Sequence, residues 1–536
     1  MSLLIRQPRP FLFLLLALVA LASVFGRPDI PIDETRYVSV AWEMWNGGTW
    51  LDFLVPHKNG EPYHHKPPLL FWLINLGWML TGLNDWWPRL ISTLFALGCL
   101  PLAAAMAARL WRHEGGVGER TGWLLTGSAF WLFFATSVVF DVMLTFFVLL
   151  ALLAALRAVG GERRGTWGVF GLAIGLGVLA KGPVVLLHVL PVLLLAPWWA
   201  PRRVGGWYRK IGLGVVLGTA IALLWAVPAA FFGGEEFRHA IFWGQTAGRV
   251  SGTLAHKQPV WFYLAVLPVI VFPWFFWGGA WRALWAAFAE RGENVHGVRF
   301  CLAWLLPTLI GFSLTGGKQA HYILPLLPAL AMLMALGQKK TWVAGRWSVV
   351  PLALLLATMG VLFILPGLWL AKAPWLTAYA GAEWQLGGAL LIGLAVVTLV
   401  FVRGEAAAAR LALVSGGMVM VVLLCLLRPL APAFDTTPFG QRLKQLEQQG
   451  VPVANAAGYA DQFHFYGRLT RPLVEITRSE IGNWLVAHPG GRVAVYLKRA
   501  DEAPAVGAEF WQPYLEGAVV LVDAQSARRL PASATR

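Results

Sequence analysis

Long apolar runs recur along almost the whole chain, and they constrain its fold more than any other feature. Of its 536 residues, 58% are hydrophobic and only 13% are charged, whereas soluble proteins carry about 25% charged residues. Many runs approach or exceed the ~18–20 residues that cross the apolar core of a bilayer. The sequence therefore predicts an α-helical polytopic membrane protein.

Thirteen membrane spans are predicted from the apolar runs between charged or Gly/Pro-rich breaks. The first run also fits a cleaved signal peptide, because Arg6 and Arg9 precede it; the many further spans favour an uncleaved first helix. An odd number of spans places the two termini on opposite sides. The predicted spans lie near residues 9–25, 88–108, 121–137, 139–156, 166–180, 183–199, 211–231, 260–281, 299–315, 321–337, 349–370, 386–402 and 411–430.

The distribution of Lys and Arg predicts the orientation. With the N-terminus in the cytoplasm, the cytoplasmic segments hold 20 Lys/Arg against 6 Asp/Glu, and the opposite loops and span ends hold 12 against 11. This excess matches the positive-inside rule. The first loop, residues 26–87, and the C-terminal tail are therefore expected outside the cytoplasmic membrane. The net charge of +16 reflects topology, and no basic face of the kind that binds nucleic acid is evident.

The composition changes near residue 430. We predict a membrane domain over residues 1–430 and a small periplasmic α/β domain over residues 431–536. In the second part, "TTPFGQRLKQLEQQG" and "SEIGNWLVAHPG" have helical patterns, whereas "VPVANAA", "RVAVYLK" and "AVVLVDA" are β-type runs.

Ionisable residues concentrate at the predicted external face, in the first loop, in the 232–259 loop and around Lys318. Asp141 and Lys181 lie at external ends of predicted spans. Ionisable groups at membrane depth are functional candidates, because burying them unpaired is costly. These residues converge beside aromatic helices, which suits a lipid-linked phosphate as substrate. Basic side chains bind phosphate. A carboxylate beside them could position or deprotonate a nucleophile.

Simpler interpretations remain open for each residue. Asp33 could cap the helix "ETRYVSVAWEMW", and Asp141 could pair with a neighbouring lysine. Lysines 66, 181 and 318 could extend to the membrane interface, and His64 and His65 could be hydrogen-bonded surface residues.

Five ordered segments resemble one known family. They are "IDETRY", "NGEPYHHKPPLLFWL", "FDVMLTFFVLLAL" with "VLAKGPVVLLHVLP", "AHKQPVWFYL" and "GKQAHYILPLLPALAML". Together they resemble the aminoarabinose (4-amino-4-deoxy-L-arabinose) lipid A transferases, which are C-type glycosyltransferases related to protein O-mannosyltransferases. The resemblance covers most of the predicted membrane domain, through about residue 337.

The resemblance implies an inverting sugar transfer from a polyprenyl-phosphate donor to a lipid A phosphate, with membrane lipids around the enzyme. By motif, Asp33 is expected to position or activate the acceptor, and Lys66 to bind the donor phosphate. The remaining expected substrate contacts are Glu34, Arg36, Tyr37, Tyr63, His64, Asp141, Lys181, Arg249, Lys318, His321 and Tyr322.

One position departs from the family pattern. The family usually reads Y-F-E-K-P-P where this chain reads "YHHKPP", so His65 replaces an acidic residue. His65 and His256 could together hold a zinc ion, or His65 could contact the sugar.

Two alternatives to this function remain. The first is the same chemistry with a protein or another envelope glycan as acceptor, and the second is a transporter of lipid-linked sugars. A transporter should place its ionisable groups near mid-bilayer on broken helices.

Overall fold

A computed structural model describes residues 8–162, 165–244, 257–338 and 345–531. Most of these residues are helical, and eight helical segments are long and apolar enough to cross a membrane. These segments are Trp86–Leu110, Asp141–Val159, Trp207–Phe232, Asn294–Leu314, Ala320–Gly337, Trp347–Ile364, Ala382–Phe401 and Ala407–Gln448. Shorter apolar helices occupy Pro10–Gly26, Leu69–Thr81, Thr166–Lys181 and Val184–Leu194.

Several of the long segments are composites. A 3₁₀ stretch, Ala320–Leu326, precedes the α-helix Leu327–Gly337, and a π-helical stretch, Val422–Leu427, follows the α-helix Ala407–Val421. The other α-helices of the N-terminal 430 residues are Asp33–Gly47, Trp50–Leu54, Val117–Thr126, Ala129–Phe134, Ala196–Trp199, Gly234–His239, Phe262–Ile270 and Gly278–Phe288.

Several of the predicted spans are not continuous helices. The run 121–137 breaks at Gly127, after which Ser128 caps a new helix by accepting a hydrogen bond from the Trp131 amide. The run 260–281 breaks before Pro273, which has no amide hydrogen to donate. Conversely, the predicted first loop contains the apolar helix Leu69–Thr81. The total of thirteen spans stays a prediction.

Glycines allow close contact between the helices Thr166–Lys181 and Trp207–Phe232. A Cβ added at Gly175 would lie 3.0 Å from the Gly218 carbonyl oxygen, and one added at Gly218 would lie 2.9 Å from the Gly171 carbonyl oxygen. Small residues four apart are typical of helix pairs in membranes, where close van der Waals packing replaces the hydrophobic effect. This pair fixes the helix that ends at Lys181.

The helix Asp33–Gly47, here named the loop helix, begins the first long loop. It was predicted from "ETRYVSVAWEMW", and it ends at Gly48, whose φ of 68° is the left-handed conformation that glycine adopts readily. A two-stranded hairpin, His57–Lys58 with Glu61–Pro62, follows it. The loop helix buries one face against Leu69–Thr81 and C-terminal residues, which places its first turn beside Asp141–Val159.

The residues after 436 form a five-stranded mixed sheet with helices around it. Its strand order is Val474–Ile476, Val453–Ala456, Arg492–Leu497, Gly517–Val522, Phe510–Tyr514, and the first three strands are parallel. The longer helices are Thr437–Gln448 and Ile481–Ala487, with short ones at Ala431–Phe434, His464–Gly467 and Ala503–Val506.

Three of these strands and both longer helices coincide with the patterns read from the sequence. The strands Val474–Ile476 and Phe510–Tyr514 had no such pattern. The first is short and mostly exposed, and the second contains Pro513 and lies at an edge of the sheet, where proline is tolerated.

C-terminal residues pack directly against the loop helix and the hairpin. Ser39 donates a hydrogen bond to the Asp461 carbonyl (2.7 Å), and the Trp42 indole donates to the Leu469 carbonyl (2.8 Å). The rings of Trp78 and Phe465 stack with centroids 5.1 Å apart. These contacts hold the first loop against the C-terminal region.

Candidate functional site

A cavity of about 260 Å³ opens between the first turn of the loop helix, the segment around Phe133–Asp141 and the turn before Tyr322. Four of the eleven predicted substrate contacts line this cavity, and so do both predicted catalytic residues. The predicted residues that line it are Asp33, Glu34, Tyr37, Lys66, Asp141 and His321.

Asp33 begins the loop helix without capping it through its side chain. Ile32 occupies the cap position, and no side-chain cap hydrogen bond forms. The Asp33 carboxylate instead accepts a hydrogen bond from Arg36 and lies 3.5 Å from the Tyr37 hydroxyl. Its side chain is 43% exposed. This carboxylate can therefore reach a ligand in the cavity while Arg36 and Tyr37 orient it.

Lys66 enters the cavity from the other end of the first loop. Pro67 and Pro68 follow it and lead into the helix Leu69–Thr81, and proline fixes the backbone of such a junction. The Lys66 ammonium lies 5.5 Å from the centroid of the Phe140 ring, a cation–π distance. The cavity thus has a carboxylate and an ammonium on its walls.

Asp141 is the most buried of the charged residues that line the cavity. Its carboxylate forms a buried ion pair with Lys181, and the His321 Nε2 lies 3.7 Å from its other oxygen. The Lys181 ammonium also lies 4.5 Å from the Tyr322 ring centroid. The interpretation of Asp141 as the partner of a lysine is therefore correct, and Asp141 also lines the cavity.

Glu34 lines the cavity, but protein donors already occupy its carboxylate. Arg27 binds it through two nitrogens, at 2.5 and 3.1 Å, and the amides of Ile30 and Val138 donate at 2.8 and 2.7 Å. Burial alone would raise the pKa of Glu34, but the charge and hydrogen bond of Arg27 lower it. These contacts indicate that Glu34 positions the loop helix rather than binding a substrate.

A third buried ion pair, between Arg89 and Asp29, was not predicted from the sequence. Arg89 Nε binds Asp29 at 2.6 Å, and the Tyr466 hydroxyl donates to the other oxygen of Asp29. These partners are far apart in sequence, so no local pattern reveals them. The one available signal was the arginine within the apolar run 88–108, since such a charge requires a partner.

Lys318 does not face the cavity. Its buried ammonium donates to the carbonyl oxygens of Gln258 (2.8 Å) and Thr315 (2.5 Å). These bonds hold the segment after residue 257 against the turn that contains Lys318. The prediction of Lys318 as a substrate contact is therefore replaced by a structural role.

Tyr63 and His64 support the Lys66 segment from outside the cavity. Tyr63 is buried, with its ring 6.1 Å from the Phe71 ring. His64 is partly buried, and burial lowers its pKa. The exposed His65 contacts both neighbours, with ring centroids 4.5 Å from His64 and 5.4 Å from Tyr63.

Two predicted residues, Arg249 and His256, lie outside the described residues. The structure therefore gives no account of the proposed donor contact of Arg249 or of a zinc ion shared by His65 and His256. Both remain predictions.

The chain is similar to known proteins in sequence and in fold, and one match includes residues of this cavity. The family model described as "Dolichyl-phosphate-mannose-protein mannosyltransferase" matches residues 65–232. This match begins at the "HKPP" segment and includes Asp141 and Lys181.

Curated relatives carry a more specific name, undecaprenyl phosphate-alpha-4-amino-4-deoxy-L-arabinose arabinosyl transferase. The chain is 35% identical over 312 residues to that of Pseudomonas paraeruginosa, covering 56% of this chain and 54% of the relative. It is 32% identical over 356 residues to that of Pectobacterium atrosepticum, covering 65% and 61%. The matches thus span about half to three fifths of the relatives' length. They confirm the resemblance to the aminoarabinose transferases that the motifs indicated.

Two solved structures show the fold over almost the whole chain. ArnT from Cupriavidus metallidurans, crystallised with undecaprenyl phosphate, superposes with a TM-score of 0.73 at 20% identity and covers 95% of this chain and 97% of its own. The apo form of the same protein gives 0.74, covering 96% and 98%. The chain therefore has the fold of these proteins from its N-terminal helices through the C-terminal sheet.

Proposed function

We propose that this chain is an inverting glycosyltransferase. It moves a sugar, 4-amino-4-deoxy-L-arabinose by analogy with the named relatives, from a polyprenyl-phosphate donor to a phosphate of lipid A. The observation that carries the proposal is one cavity lined by Lys66, Asp33 and Asp141, with Lys181 paired to Asp141. The relatives' name and the fold shared with a protein crystallised with undecaprenyl phosphate support this choice of chemistry.

Lys66 suits the donor side of the reaction. A polyprenyl phosphate leaves with the electrons of the broken bond between its oxygen and the anomeric carbon, so negative charge grows on the phosphate. An ammonium held beside that oxygen stabilises the departing charge. Phe140, which contacts Lys66, and the neighbouring Phe133 and Phe134 give the cavity an apolar wall suited to the start of the prenyl chain.

Asp33 suits the acceptor side. Inversion requires the acceptor oxygen to attack the anomeric carbon opposite the leaving phosphate, so acceptor and donor must enter from different ends of the cavity. Asp33 is partly exposed, whereas the Asp141–Lys181 pair is buried. The Asp33 carboxylate positions the attacking phosphate oxygen and takes its proton if that oxygen is protonated.

The membrane arrangement belongs to the same proposal. We infer thirteen spans, an N-terminus in the cytoplasm, and a cavity that opens at the periplasmic face of the inner membrane. There the lipid-linked donor and lipid A share one leaflet. The C-terminal sheet region supports the first loop, and none of its described residues lines the cavity.

Zinc remains part of the proposal through His65 and His256. Imidazole nitrogens are ordinary zinc ligands, and a bound zinc ion beside Lys66 would add positive charge for the donor phosphate. No step above depends on it.

Mass spectrometry of lipid A tests the function. A strain that lacks the gene should lose the aminoarabinose-modified species, and the unaltered gene should restore them. A Lys66→Ala gene should fail to restore them, whereas Lys372→Ala, which alters an exposed lysine, should succeed. Unchanged lipid A in the deletion strain, with loss of sugar from a protein or another glycan, would move the assignment to a different acceptor.

A direct assay separates transfer from transport. Purified protein in detergent, with donor lipid and lipid A but no membrane to cross, should form the modified lipid A. Movement of lipid-linked sugar across vesicles without any transfer in detergent would overturn the proposal in favour of a transporter.

A further inference from the structure

A second group of ionisable side chains lies away from the cavity, where the loop helix meets C-terminal residues. Glu43 comes from the loop helix, and Asp461 and His464 come from the segment before and within the helix His464–Gly467. Each offers one nitrogen or oxygen atom, and these three atoms lie within 4.8 Å of one another. The group joins two parts of the chain that are more than four hundred residues apart in sequence.

One oxygen of this group has no partner. Asp461 is fully buried, and its Oδ1 accepts no hydrogen bond from any described residue. Its Oδ2 accepts one from the Asn59 amide at 2.8 Å, which also donates to Glu43 at 2.6 Å. The Gly60 amide donates to the other oxygen of Glu43 at 3.0 Å. A buried carboxylate oxygen without a partner is costly, so a cation or a proton is required there.

The surrounding charges leave room for a cation. Glu43 and Asp461 together carry two negative charges when ionised, and Lys58 is the nearby basic side chain, with its ammonium donating to the Tyr459 carbonyl at 2.7 Å. One negative charge therefore remains unbalanced. The Tyr459 hydroxyl lies 2.9 Å from the Nδ1 of His464 and fixes the orientation of the imidazole, as partners of metal-binding histidines commonly do.

We propose that Glu43, Asp461 and His464 bind a divalent transition-metal ion, with Zn²⁺ as the preferred ion. Two carboxylate oxygens and one imidazole nitrogen are a ligand set that zinc accepts, and a fourth position is left for water. Zinc bonds of about 2.0–2.2 Å place tetrahedral ligand atoms about 3.3–3.6 Å apart, so small side-chain movements within the present 4.8 Å spacing complete the site. The metal would fasten the C-terminal sheet region to the loop helix that begins with Asp33.

Zinc binding by the full-length protein in detergent tests this site. After removal of metals with a chelator, Zn²⁺ alone is added, and bound zinc and the thermal unfolding midpoint are measured. The unaltered protein should bind zinc and unfold at a higher temperature. The Asp461→Asn and Glu43→Gln proteins should each bind zinc at this site at least tenfold more weakly, so that one equivalent of zinc fewer is bound at concentrations that saturate the unaltered protein. Both should also lose the zinc-dependent rise in the unfolding midpoint. Glu43→Gln changes a partly exposed side chain and preserves its shape, so it keeps the test valid if Asp461→Asn misfolds.

The matched control is His65→Ala, which removes a ligand of the other candidate zinc site. It should keep the zinc-dependent rise in midpoint. Two results would overturn the proposal: no zinc-dependent rise in the unaltered protein, or loss of the whole rise in His65→Ala with no loss in Glu43→Gln. If zinc does not change the unfolding midpoint of the unaltered protein and Asp461→Asn raises that midpoint, Glu43 and Asp461 share a proton instead.

Discussion

Lys66 and Asp33 face the same cavity from opposite ends of the first long loop, and their surroundings differ. The Lys66 ammonium is held against the Phe140 ring, whereas the Asp33 carboxylate is partly exposed and is oriented by Arg36 and Tyr37. In the proposed reaction the donor phosphate binds the first and the acceptor meets the second. The two residues should therefore serve different steps.

Substitutions at these residues should separate binding from turnover. Lys66→Ala should weaken donor binding as well as transfer, because loss of a charge-assisted contact costs about 1.5–3 kcal/mol, or roughly tenfold or more. Asp33→Asn should leave donor binding nearly intact while single-turnover transfer collapses, because an amide cannot take a proton. Both are measured on purified protein with donor lipid. Near-normal transfer by Asp33→Asn would remove this residue from the catalytic assignment.

Glu34 and Arg27 should contribute to stability rather than to chemistry. Their side chains are 6% and 1% exposed, and removing one partner of a buried ion pair costs about 3–5 kcal/mol. Glu34→Gln should therefore lower the unfolding midpoint strongly. Asp501→Asn, which breaks the exposed pair of Arg499 and Asp501, should leave it unchanged.

The effect of Glu34 should also depend on pH in a defined direction. The pKa of Glu34 is lowered in the folded protein. The ionised carboxylate therefore contributes fully to the free energy of unfolding above the ordinary glutamate pKa of about 4.3. That contribution is lost as the pH falls through the lowered value. The difference in midpoint between the unaltered protein and Glu34→Gln should shrink accordingly below about pH 4. A constant difference across that range would contradict this assignment.

At the scale of single residues, the sequence indicated which side chains have chemistry but not which ones pair. The motif residues Asp33, Lys66 and Asp141 do meet in one cavity. By contrast, the bond between Tyr466 and Asp29 joins residues 437 positions apart. Lys318 shows the same limit, because its carbonyl partners depend on how two loops fold together.

At the scale of helices and strands, local patterns predicted most elements, and breaks within apolar runs were the main errors. Hydropathy measures only the affinity of a run for lipid, so it does not register the turn at Gly127 or the interruption before Pro273. The hairpin at residues 57–62 was missed for a related reason, since each of its strands has only two residues.

The packing of Thr166–Lys181 on Trp207–Phe232 yields a prediction at this scale. Gly218→Ala would place a methyl group 2.7 Å from the Ile174 side chain and 2.9 Å from the Gly171 carbonyl oxygen, so the helices must separate. Overpacking of this kind costs about 1–3 kcal/mol. The unfolding midpoint should fall, and transfer should slow because Lys181 moves relative to Asp141.

Gly212→Ala is the matched control on the same helix, because a Cβ there has no neighbour within 4 Å. It should leave both the midpoint and transfer unchanged. Equal effects of the two substitutions would show that the close contact between these helices does not position Lys181.

At the scale of the whole molecule, the C-terminal sheet region connects to the first loop through many contacts. Ser39, Trp42 and Asn59 each bond to C-terminal backbone carbonyls, and Tyr466 bonds to Asp29. Because of these contacts, the first loop and the C-terminal region must lie on the same side of the membrane. The first loop supplies Asp33 and Lys66, so the cavity belongs to that side as well. The overall fold also agrees with that of ArnT across nearly the whole length.

Orientation in the membrane is the last prediction, and two independent observations support it. The predicted cytoplasmic segments hold 20 Lys/Arg against 6 Asp/Glu, whereas residues 431–536 hold 11 against 10; clustered basic residues retain short loops in the cytoplasm. The contacts of the C-terminal region with the first loop require both to lie on the same side, so the charge bias that places one outside the cytoplasm places the other there too. Reporter fusions at Gly160 and after Arg536 should therefore give opposite signals, cytoplasmic for the first and periplasmic for the second. Matching signals would contradict the topology and, with it, a cavity that opens to the periplasm.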